Sequence, residues 1–352
     1  MAVTLKDVAS EAGVAVSTAS RVLRGDPHPM IGAGTRERVM EAARRLRYRH
    51  NVYARQLALG RSEVVGIFAS ALMEGVNLAK FQALESAIRA RGYRPLLGHT
   101  AGHDELQVQS AKEFISSAVE GVVVANAGRG HRHALEVLAE RRIPIVSLEP
   151  LEGVEADIIT VDRRAGARLA IRHLLDLGHR RIAMLHSQLD RSPSWERYEG
   201  YREALAEYGC SVDPSLLVPI VGASRDGSYA LGYETARHLL AIQPLPTAAF
   251  CSNDEIAIGA MKALAEAGLR IPEEMALVGF DDIKVAAYAP VPLTTVAQPV
   301  AAQAEQAVAL LFEHIANQGP ERPPQVVQIE PRLVVRASCG AAAAGRERRA
   351  EA

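Results

Sequence analysis

Residues 4–25, TLKDVASEAGVAVSTASRVLRG, have the pattern of two short helices broken at one glycine. Apolar side chains recur at helical spacing on each side of Gly13 and predict one buried face per helix: Leu5, Val8, Ala9 and Ala12, then Ala19, Val22 and Leu23. This pattern is typical of a helix-turn-helix, whose second helix lies in the DNA major groove. A small amphipathic hairpin without a DNA role fits the periodicity equally well, so other features must decide.

One valine, three short polar side chains and one guanidinium stand between the inward-facing positions of the second helix. The guanidinium of Arg21 can donate two hydrogen bonds to O6 and N7 of one guanine. The candidate DNA-contacting residues of this segment are Thr4, Val16, Ser17, Thr18, Ser20 and Arg21.

Charge is segregated toward the same end of the chain. Residues 1–60 carry 10 Lys and Arg against 5 Asp and Glu, a net charge of +5, while the remainder carries 30 against 36. The 352-residue chain as a whole has a formal net charge of -1. A basic end on a neutral protein favours a DNA-binding head over a plain hairpin.

Composition and cysteine spacing limit the classes of protein to which the chain can belong. The chain is 48% apolar and 23% charged, an ordinary globular composition with enough length for two or three cores. Its three cysteines, Cys210, Cys251 and Cys339, lack metal-ligand spacing, so we expect reduced thiols and no metal. No apolar run approaches the roughly 20 residues of a membrane span, and no secretory signal is evident. We therefore expect a cytoplasmic protein without membrane contact.

A third helix and a basic segment follow the first two helices. The run TRERVMEAARRLRY predicts a helix from Thr35 with four inward side chains, Val39, Ala42, Ala43 and Leu46. It completes a head of residues 1–49. Residues 50–62 are predicted as a hinge helix, with Asn51 as its cap and Gly60 at its end.

Two interpretations fit the hinge segment. Residues 47–62 contain four arginines and no acid, and composition alone favours a basic linker. The functional alternative is a helix that forms on DNA, where Leu57 wedges between base steps from the minor groove. Its candidate DNA contacts are Asn51, Tyr53, Ala54 and Leu57.

From residue 63 onward, short apolar runs alternate with amphipathic helices. The runs that predict strands are EVVGIFAS, YRPLLGH, EGVVVAN, IPIVSLE, DIITVD, RIAMLHS, LLVPIV, TAAFCSN and MALVGFDD. This alternation predicts an α/β core, residues 63–340, made of two doubly wound parallel-sheet lobes that bind a ligand between them. A last helix after Pro299 and a pair of strands, QVVQIEP and RLVVRAS, close the core, and residues 341–352 are predicted to be a disordered tail.

The ordered series of segments resembles the lac repressor/galactose repressor family of bacterial transcription regulators. The matching segments are TLKDVASEAGV, STASRVLRG, TRERVMEAARRLRY, NVYARQLALGRS, DRRAGARLAIRHLLDLGHRRIAML, RYEGYREAL, SNDEIAIGAMKALAEAGLRIPEEMALVGFDD and PLTTVAQP. The resemblance implies a homodimer whose heads bind double-stranded operator DNA, and a periplasmic-binding-protein-like core whose sugar-like effector changes operator affinity.

The resemblance also assigns residues. By position, Val16, Ser17 and Arg21 read bases and Leu57 is the minor-groove wedge. The candidate effector-binding residues are Asn77, Asn126, Asp162, Arg197, Asn253 and Asp281. No cofactor is implied.

Several residues depart from the family pattern. Ala15 stands where a serine usually caps the recognition helix. Val76, Asn77 and Gly227 stand where relatives often carry aromatic rings. Trp195 and Tyr229 are candidate replacement stacking groups, although such side chains more often belong to the core or are partly buried at the surface. These departures leave the identity of the effector open.

Several charged residues near predicted strand ends fit either a structural role or a ligand contact. Asp254 suits either a helix cap or a ligand contact, and Asp282 is predicted to cap the segment that follows it. Arg163 and Arg191 also fall near predicted strand ends and would suit an acidic or phosphorylated sugar.

Two other classes of protein share part of this pattern. A periplasmic-type sugar-binding receptor shares the two-lobed core, but it predicts a signal sequence and no DNA-binding head. An α/β enzyme requires a nucleophile with its base or a phosphate-binding loop. The sequence contains neither of these motifs, so a non-enzymatic, ligand-controlled transcription regulator is the prediction. The family resemblance alone favours repression over activation.

Overall fold

The computed structural model describes residues 3–23, 25–48, 60–70, 75–101, 103–126, 131–151, 153–187, 189, 192–220, 227–317 and 322–341. The chain divides into two compact units, Met1–Ser62 and Glu63–Ala352. No helix among these residues is long and apolar enough to cross a membrane.

The described part of the first unit is a three-helix head with a small apolar centre. Its helices are α1 (Leu5–Glu11), α2 (Val16–Leu23) and α3 (Ala33–Arg45). The predicted interior positions are buried at its centre: Val8, Ala9, Ala12, Ala19, Val22, Val39, Ala42 and Ala43. Leu5, Leu23 and Leu46 pack against them and are partly buried. The helix-turn-helix prediction is therefore confirmed.

Local backbone chemistry fixes the turn between α1 and α2. Gly13 has φ of +64°, a conformation that costs glycine little. Its amide donates to the Ser10 carbonyl, and the amide of Val14 donates to the Ala9 carbonyl. These two bonds satisfy carbonyls at the end of α1, as in a Schellman motif.

The predicted start of the third helix was wrong by two residues. Gly32, in extended conformation, is the N-cap of α3, and the amides of Thr35 and Arg36 both donate to the Gly32 carbonyl. Thr35 therefore lies inside the first turn of the helix.

The core unit contains two six-stranded sheets, one in each lobe. The first lobe has the strand order β11-β5-β4-β3-β1-β2, and all its pairs are parallel. Its strands are β1 (Val64–Ala69), β2 (Arg94–His99), β3 (Gly121–Asn126), β4 (Ile145–Ser147), β5 (Asp157–Val161) and β11 (Val326–Ile329). Its helices are α4 (Gly75–Ala90), α5 (Asp104–Ser116), α6 (His131–Ala139) and α11 (Val300–Ala316).

The second lobe has the strand order β12-β10-β9-β8-β6-β7, in which only β10 and β12 pair antiparallel. Its strands are β6 (Ile182–His186), β7 (Leu217–Pro219), β8 (Ala248–Cys251), β9 (Ala276–Asp281), β10 (Thr294–Ala297) and β12 (Arg332–Val334). Its α-helices are α7 (Arg163–Asp176), α8 (Ser192–Glu207), α9 (Gly227–Leu240) and α10 (Asp254–Glu266). The described residues of this lobe also form short 3-10 helices at Pro214–Leu216 and Lys284–Tyr288.

Each sheet is covered on both faces, as the continuous apolar runs predicted. All residues of β1, β3 and β9 are buried, and a separate apolar cluster packs on each face of each sheet. Parallel strands buried on both faces explain why these runs do not alternate with polar residues.

The two last strands do not pair with each other, so that part of the sequence prediction was wrong. β11 joins β5 in the first lobe, whereas β12 joins β10 in the second. The strand β10, which the apolar runs did not predict, provides the edge that β12 needs. The chain consequently crosses between the lobes three times: near Asp162, at 298–299 and at 330–331.

Candidate functional site

The outer face of α2 presents the predicted base-reading side chains. Val16, Ser17 and Arg21 are exposed, and Val16 retains 43% of its accessible surface. Thr18 and Ser20 are half-buried beside the apolar face. An exposed aliphatic side chain, a hydroxyl and a guanidinium on one helix can contact a thymine methyl and the edges of other bases.

Thr4 has a structural role at the start of α1. Its hydroxyl accepts a hydrogen bond from the Asp7 amide at 3.4 Å, while the Asp7 carboxylate accepts from the Thr4 amide at 2.8 Å. These two bonds form a capping box. The hydrogen bonds from the backbone and side chain of Thr4 hold the pKa of Asp7 below its ordinary value.

An alanine stands before α2, in the position that Thr4 has before α1. Ala15 precedes the helix, and its carbonyl accepts the hydrogen bond of the Ala19 amide. A methyl group cannot accept from the amides of the first turn, as a serine hydroxyl would. The hinge candidates Asn51, Tyr53, Ala54 and Leu57 lie outside the described residues.

The structure brings two predicted effector residues, Arg197 and Asp281, together between the lobes. The Arg197 Nη2 atom lies 3.9 Å from the Asp281 Oδ1 atom, and these side chains are 10% and 8% exposed. Arg197 comes from α8, and its guanidinium lies over the Phe280 ring at 4.2 Å. Its Nε atom has no hydrogen-bond partner within the described part of the chain.

Asp281 ends β9 in a conformation that is unusual for a side chain with a Cβ atom. Asp281 and Asp282 have φ of +115° and +56°. Gln298, on the chain crossing, donates to the Asp281 Oδ1 atom at 2.5 Å. Two successive residues at positive φ indicate strain held by the surroundings, which is a feature of binding sites.

Asp254 holds this turn in place. Its carboxylate accepts from the Ile283 amide at 2.8 Å and from the Thr295 hydroxyl. Burial, together with the nearby Asp281 carboxylate, raises the pKa of Asp254 well above its ordinary value. Asp254 is fully buried, so it is a support of the site, and Asn253 caps the helix instead.

Asp282 is not the predicted helix cap. The 3-10 helix that follows is preceded by Ile283, which forms no side-chain cap. The Asp282 carboxylate accepts instead from Arg336 Nη2 at 2.6 Å. Because Arg336 follows β12, this ion pair ties the turn after β9 to the last segment of the chain.

Four further charged side chains lie between the lobes, and three of them were missed as candidates. The Lys80 Nζ atom donates to the Glu149 Oε1 atom at 2.8 Å. Arg163 places its Nη2 atom 3.8 Å from Glu149 and its Nη1 atom 3.3 Å from Glu196. We call these four residues, with Arg197 and Asp281, the cleft charge cluster.

A sequence signal existed for only one of the missed residues. Glu149 follows the strand run IPIVSLE, the same strand-end position that identified Asp281. Lys80 and Glu196 lie inside helical segments, where a charged side chain ordinarily faces water. Only the tertiary structure shows that Lys80 is 1% exposed.

The pKa values in the cleft reflect burial and close opposite charges. Burial raises the pKa of Asp281, and Arg197 opposes that shift. Burial also lowers the pKa of Arg197 to about 10, against the effect of Asp281. Burial alone would raise the pKa of Glu149, but Lys80 and Arg163 outweigh it and hold that pKa below its ordinary value.

The other predicted effector residues serve local structure. Asp162 and Asn253 cap α7 and α10 by accepting from the amides of Ala165 and Ile256, each at 2.8 Å. Asn126 accepts from the Ser70 amide and hydroxyl at 2.8 Å. Asn77 lies half-buried in the first turn of α4.

A cavity of about 650 Å³ between the lobes borders this cluster at Asp281. The first turn of α4, the 281–284 turn, and the chain crossings at 297–302 and 330–332 line it. Its volume falls within the range of small-molecule binding sites. The lining includes Gly75, whose amide donates across the lobes to the Glu255 Oε1 atom at 3.1 Å.

Neither candidate aromatic group, Trp195 or Tyr229, lines this cavity. Trp195 is 48% exposed and lies against Tyr198, with ring centres 5.4 Å apart and ring planes at 41° to each other. Tyr229 lines an apolar surface groove on α9 and α10. Arg191 lies outside the described residues, and those that are described contain no cluster of side chains suited to a metal ion.

Comparison with known proteins places the chain in a family. The family model of bacterial regulatory proteins, lacI family, matches residues 4–51, and that of the periplasmic binding protein-like domain matches residues 171–339. The chain belongs to the lacI family of bacterial regulatory proteins, and it combines their DNA-binding domain with a periplasmic-binding-protein-like core.

Two curated relatives illustrate the likeness across the chain. The HTH-type transcriptional repressor PurR of Pasteurella multocida (strain Pm70) is 31% identical over 337 residues, covering 95% of this chain and 98% of the relative. The ribose operon repressor of Escherichia coli (strain K12) is 30% identical over 338 residues, covering 95% and 99%. Both relatives are repressors.

Two solved structures extend the comparison. The lac repressor dimer bound to operator and the anti-inducer ONPF has a TM-score of 0.79 at 26% identity, covering 96% of this chain and 99% of that one. A complex of the transcriptional regulator CelR with cellobiose has a TM-score of 0.70 at 28% identity, with the same coverage.

Proposed function

We propose that the protein is a sequence-specific transcription repressor whose operator affinity is set by a small polar effector bound between the core lobes. The observation that carries the proposal is that one chain joins a basic helix-turn-helix to a core whose cleft contains buried polar atoms with unsatisfied hydrogen bonds. The Arg197 Nε atom and the Gln298 Oε1 atom form no hydrogen bond within the described residues. A ligand with both donors and acceptors would satisfy them.

A sugar-like effector suits this chemistry. Hydroxyl groups donate and accept, so they can bind Asp281 and Arg197 at once. The cellobiose complex of a relative supports the same class. The ONPF complex supports an effector that acts while operator is bound.

Contacts that cross the cleft offer a physical route for regulation. Glu149 of the first lobe faces Arg163 of the second, and the Gly75 amide reaches Glu255. An effector that fits one arrangement of the lobes better than another shifts their equilibrium by the difference in binding free energy. We propose that this shift reaches the head through the segment at 50–62, in which Leu57 is the candidate minor-groove wedge.

We also propose that the protein acts as a homodimer through the apolar groove of the second lobe. This groove measures about 820 Å³ and is lined mainly by apolar side chains of α9, α10 and the segments after them: Tyr229, Tyr233, Ile258, Met261, Leu269, Ile271, Pro290 and Val291. A concave apolar face of this kind is typical of an interaction site. The relative solved with operator is itself a dimer.

Effector titrations with and without operator DNA test the proposal. Coupling is reciprocal, so operator must change effector affinity by the same ratio by which effector changes operator affinity. The Asp281→Asn variant removes a carboxylate that accepts hydrogen bonds from ligand hydroxyls. It should weaken effector binding by about 1–3 kcal/mol. Its operator affinity without effector should stay close to that of the parent protein.

Equal effector affinity in the two titrations would show that the cleft does not control the head. Loss of operator binding by Asp281→Asn in the absence of effector would instead assign this residue a purely structural role. A change at the exposed Asp104, Asp104→Asn, is the matched control.

A further inference from the structure

We infer that the effector is a polyhydroxylated acid, and that its carboxylate takes the place of the Glu149 carboxylate between Lys80 and Arg163. This inference rests on the proposed function, because it assumes that the cleft binds the effector. It adds the charge of the ligand and the two side chains that select it.

The first observation is that a carboxylate already lies between two buried cations. The Glu149 Oε1 atom is 2.8 Å from the Lys80 Nζ atom and 3.8 Å from the Arg163 Nη2 atom. Lys80 lies on α4 of the first lobe and Arg163 begins α7 of the second. A carboxylate in this position therefore joins the two lobes.

The second observation is that the anion is much closer to water than the cations. The side chain of Glu149 is 22% exposed, whereas those of Lys80 and Arg163 are 1% and 3% exposed. Glu149 can turn outward and become solvated, but the two cations have no comparable access to water. Among the described residues, Glu149 is the one carboxylate within ion-pair distance of Lys80, whereas Arg163 also has Glu196. A buried lysine without an anion would be strongly destabilised, so another anion must replace Glu149 when it leaves.

The charge balance of the cleft selects an anionic ligand over a cationic one. Lys80, Arg163 and Arg197 face Glu149, Glu196 and Asp281, three cations against three carboxylates. An acid that displaces Glu149 preserves this balance. A cationic ligand would require Lys80 to leave, and its burial opposes that.

Arg163 is held in position for this role. Its Nη1 atom donates to the Thr160 hydroxyl at 3.1 Å and to Glu196 at 3.3 Å, which leaves Nη2 directed at Glu149. The hydroxyl groups of the same ligand would then lie toward Asp281 and the unpaired Nε atom of Arg197. A carboxylate is favoured over a phosphate because the space between Lys80 and Arg163 already holds a carboxylate.

Isothermal titration calorimetry of the full chain tests the class of ligand. The panel pairs aldonic and uronic acids of five and six carbons with their neutral parent sugars and the corresponding 6-phosphates. We expect at least one acid to bind about tenfold or more tightly than its neutral parent, since the space between Lys80 and Arg163 is cationic once Glu149 leaves. Binding of the acid should weaken with added salt.

Two variants with opposite expected effects test the displacement. Glu149→Gln removes the competing carboxylate, so it should strengthen binding of the acid by about tenfold. Lys80→Met removes one cation and should weaken the acid by about tenfold or more. Arg89→Met removes an exposed ion pair with Glu85 on the same helix, and it should leave the affinity for the acid unchanged.

The double variant Lys80→Met, Glu149→Gln controls for folding, because it removes the ion pair as a neutral unit. It should retain the melting temperature of the parent within a few degrees and lose the preference for the acid. Weaker acid binding by Glu149→Gln would mean that Glu149 contacts the ligand itself, and it would overturn the displacement.

The remaining outcomes separate this inference from the proposed function. Neutral sugars that bind as tightly as their acids would overturn the inference and leave a sugar-controlled repressor standing. Tighter binding of the 6-phosphates would overturn the carboxylate assignment. Failure of every acid to bind would also overturn it, whereas the proposed function depends separately on operator binding and on the reciprocal titrations.

Discussion

At the residue scale, Arg21 carries the clearest chemical prediction for DNA reading. It is exposed on α2, and its side chain is the long donor among the predicted contacts of that helix. A guanidinium can form two parallel hydrogen bonds with guanine, a geometry that the shorter hydroxyls of Ser17 and Thr18 cannot reproduce.

Arg21→Ala should therefore weaken operator binding by about 1–3 kcal/mol and relax the base preference at one position. Fluorescence anisotropy with operator and with single-base variants would measure both effects. Arg44→Ala is the matched control, because Arg44 is an exposed arginine on α3 that bonds to the Met40 carbonyl of its own helix. Equal losses on operator and random DNA would make Arg21 a phosphate contact.

Ala15 offers a second test at this scale, because an alanine precedes the recognition helix, where α1 has the capping side chain of Thr4. Ala15→Ser should add a hydrogen bond to the first turn and stabilise α2 by about 1 kcal/mol. Hydrogen exchange of the α2 amides in the full chain should then slow by about fivefold. Unchanged exchange would indicate that the first-turn amides already have an acceptor, and Ser17 is the residue to test next.

At the element scale, the attachment of β11 to β5 depends on one buried carboxylate. Asp157 accepts from His314 on α11 at 2.6 Å, from Arg322 at 2.8 Å and from the Gln325 amide at 2.8 Å. These bonds outweigh burial, which acts in the opposite direction, and hold the pKa of Asp157 below its ordinary value. The Asp157 carboxylate thus links β5 to α11 and to the segment that leads into β11.

The lowered pKa gives this junction a pH dependence of definite sign. Ionised Asp157 stabilises the fold above the pKa of the unfolded chain, and this contribution is lost as the pH falls through the lower folded pKa. Asp157→Asn should reduce the free energy of unfolding at neutral pH by about 1–3 kcal/mol. It should also flatten the loss of stability below about pH 4.

Urea unfolding at several pH values would measure both effects. Asp104→Asn, at an exposed carboxylate on α5, is the control, and its stability should follow that of the parent protein. If Asp157→Asn and the parent lose stability in parallel on acidification, other carboxylates dominate the acid response.

At the scale of the whole molecule, the apolar groove on α9 and α10 leads to a prediction about assembly. Ala265 is exposed within this groove, so a long cation there should prevent a second copy from packing. Ala265→Arg should convert a dimer to a monomer in sedimentation experiments. It should also weaken binding to a two-half-site operator far more than binding to one half-site.

Ala206→Arg provides the matched control, since Ala206 is an exposed alanine on α8 beside Glu203 and Glu207. An added cation there should be tolerated without loss of the dimer. A dimer that survives Ala265→Arg would exclude this groove as the interface.

The sequence by itself determined the elements whose signals are local. Helical spacing identified α1 and α2, and Gly13 marked the turn. Continuous apolar runs identified nine of the twelve strands in the described part of the chain. Strand-end position identified Asp281, because the carboxyl ends of parallel strands meet at one edge of a sheet. These features depend on a few neighbouring residues, and their periodicity is fixed by backbone geometry.

Only the tertiary structure decided which distant segments meet. The sequence marked β11 and β12 as strands, but their assignment to different lobes depends on the open edges of β5 and β10, which lie far away in the chain. Lys80 looks like an ordinary helical lysine, and its burial against Glu149 follows from packing between elements 69 residues apart. Local spacing sets which face a side chain occupies, whereas the partner of a strand or a buried charge is set by long-range packing.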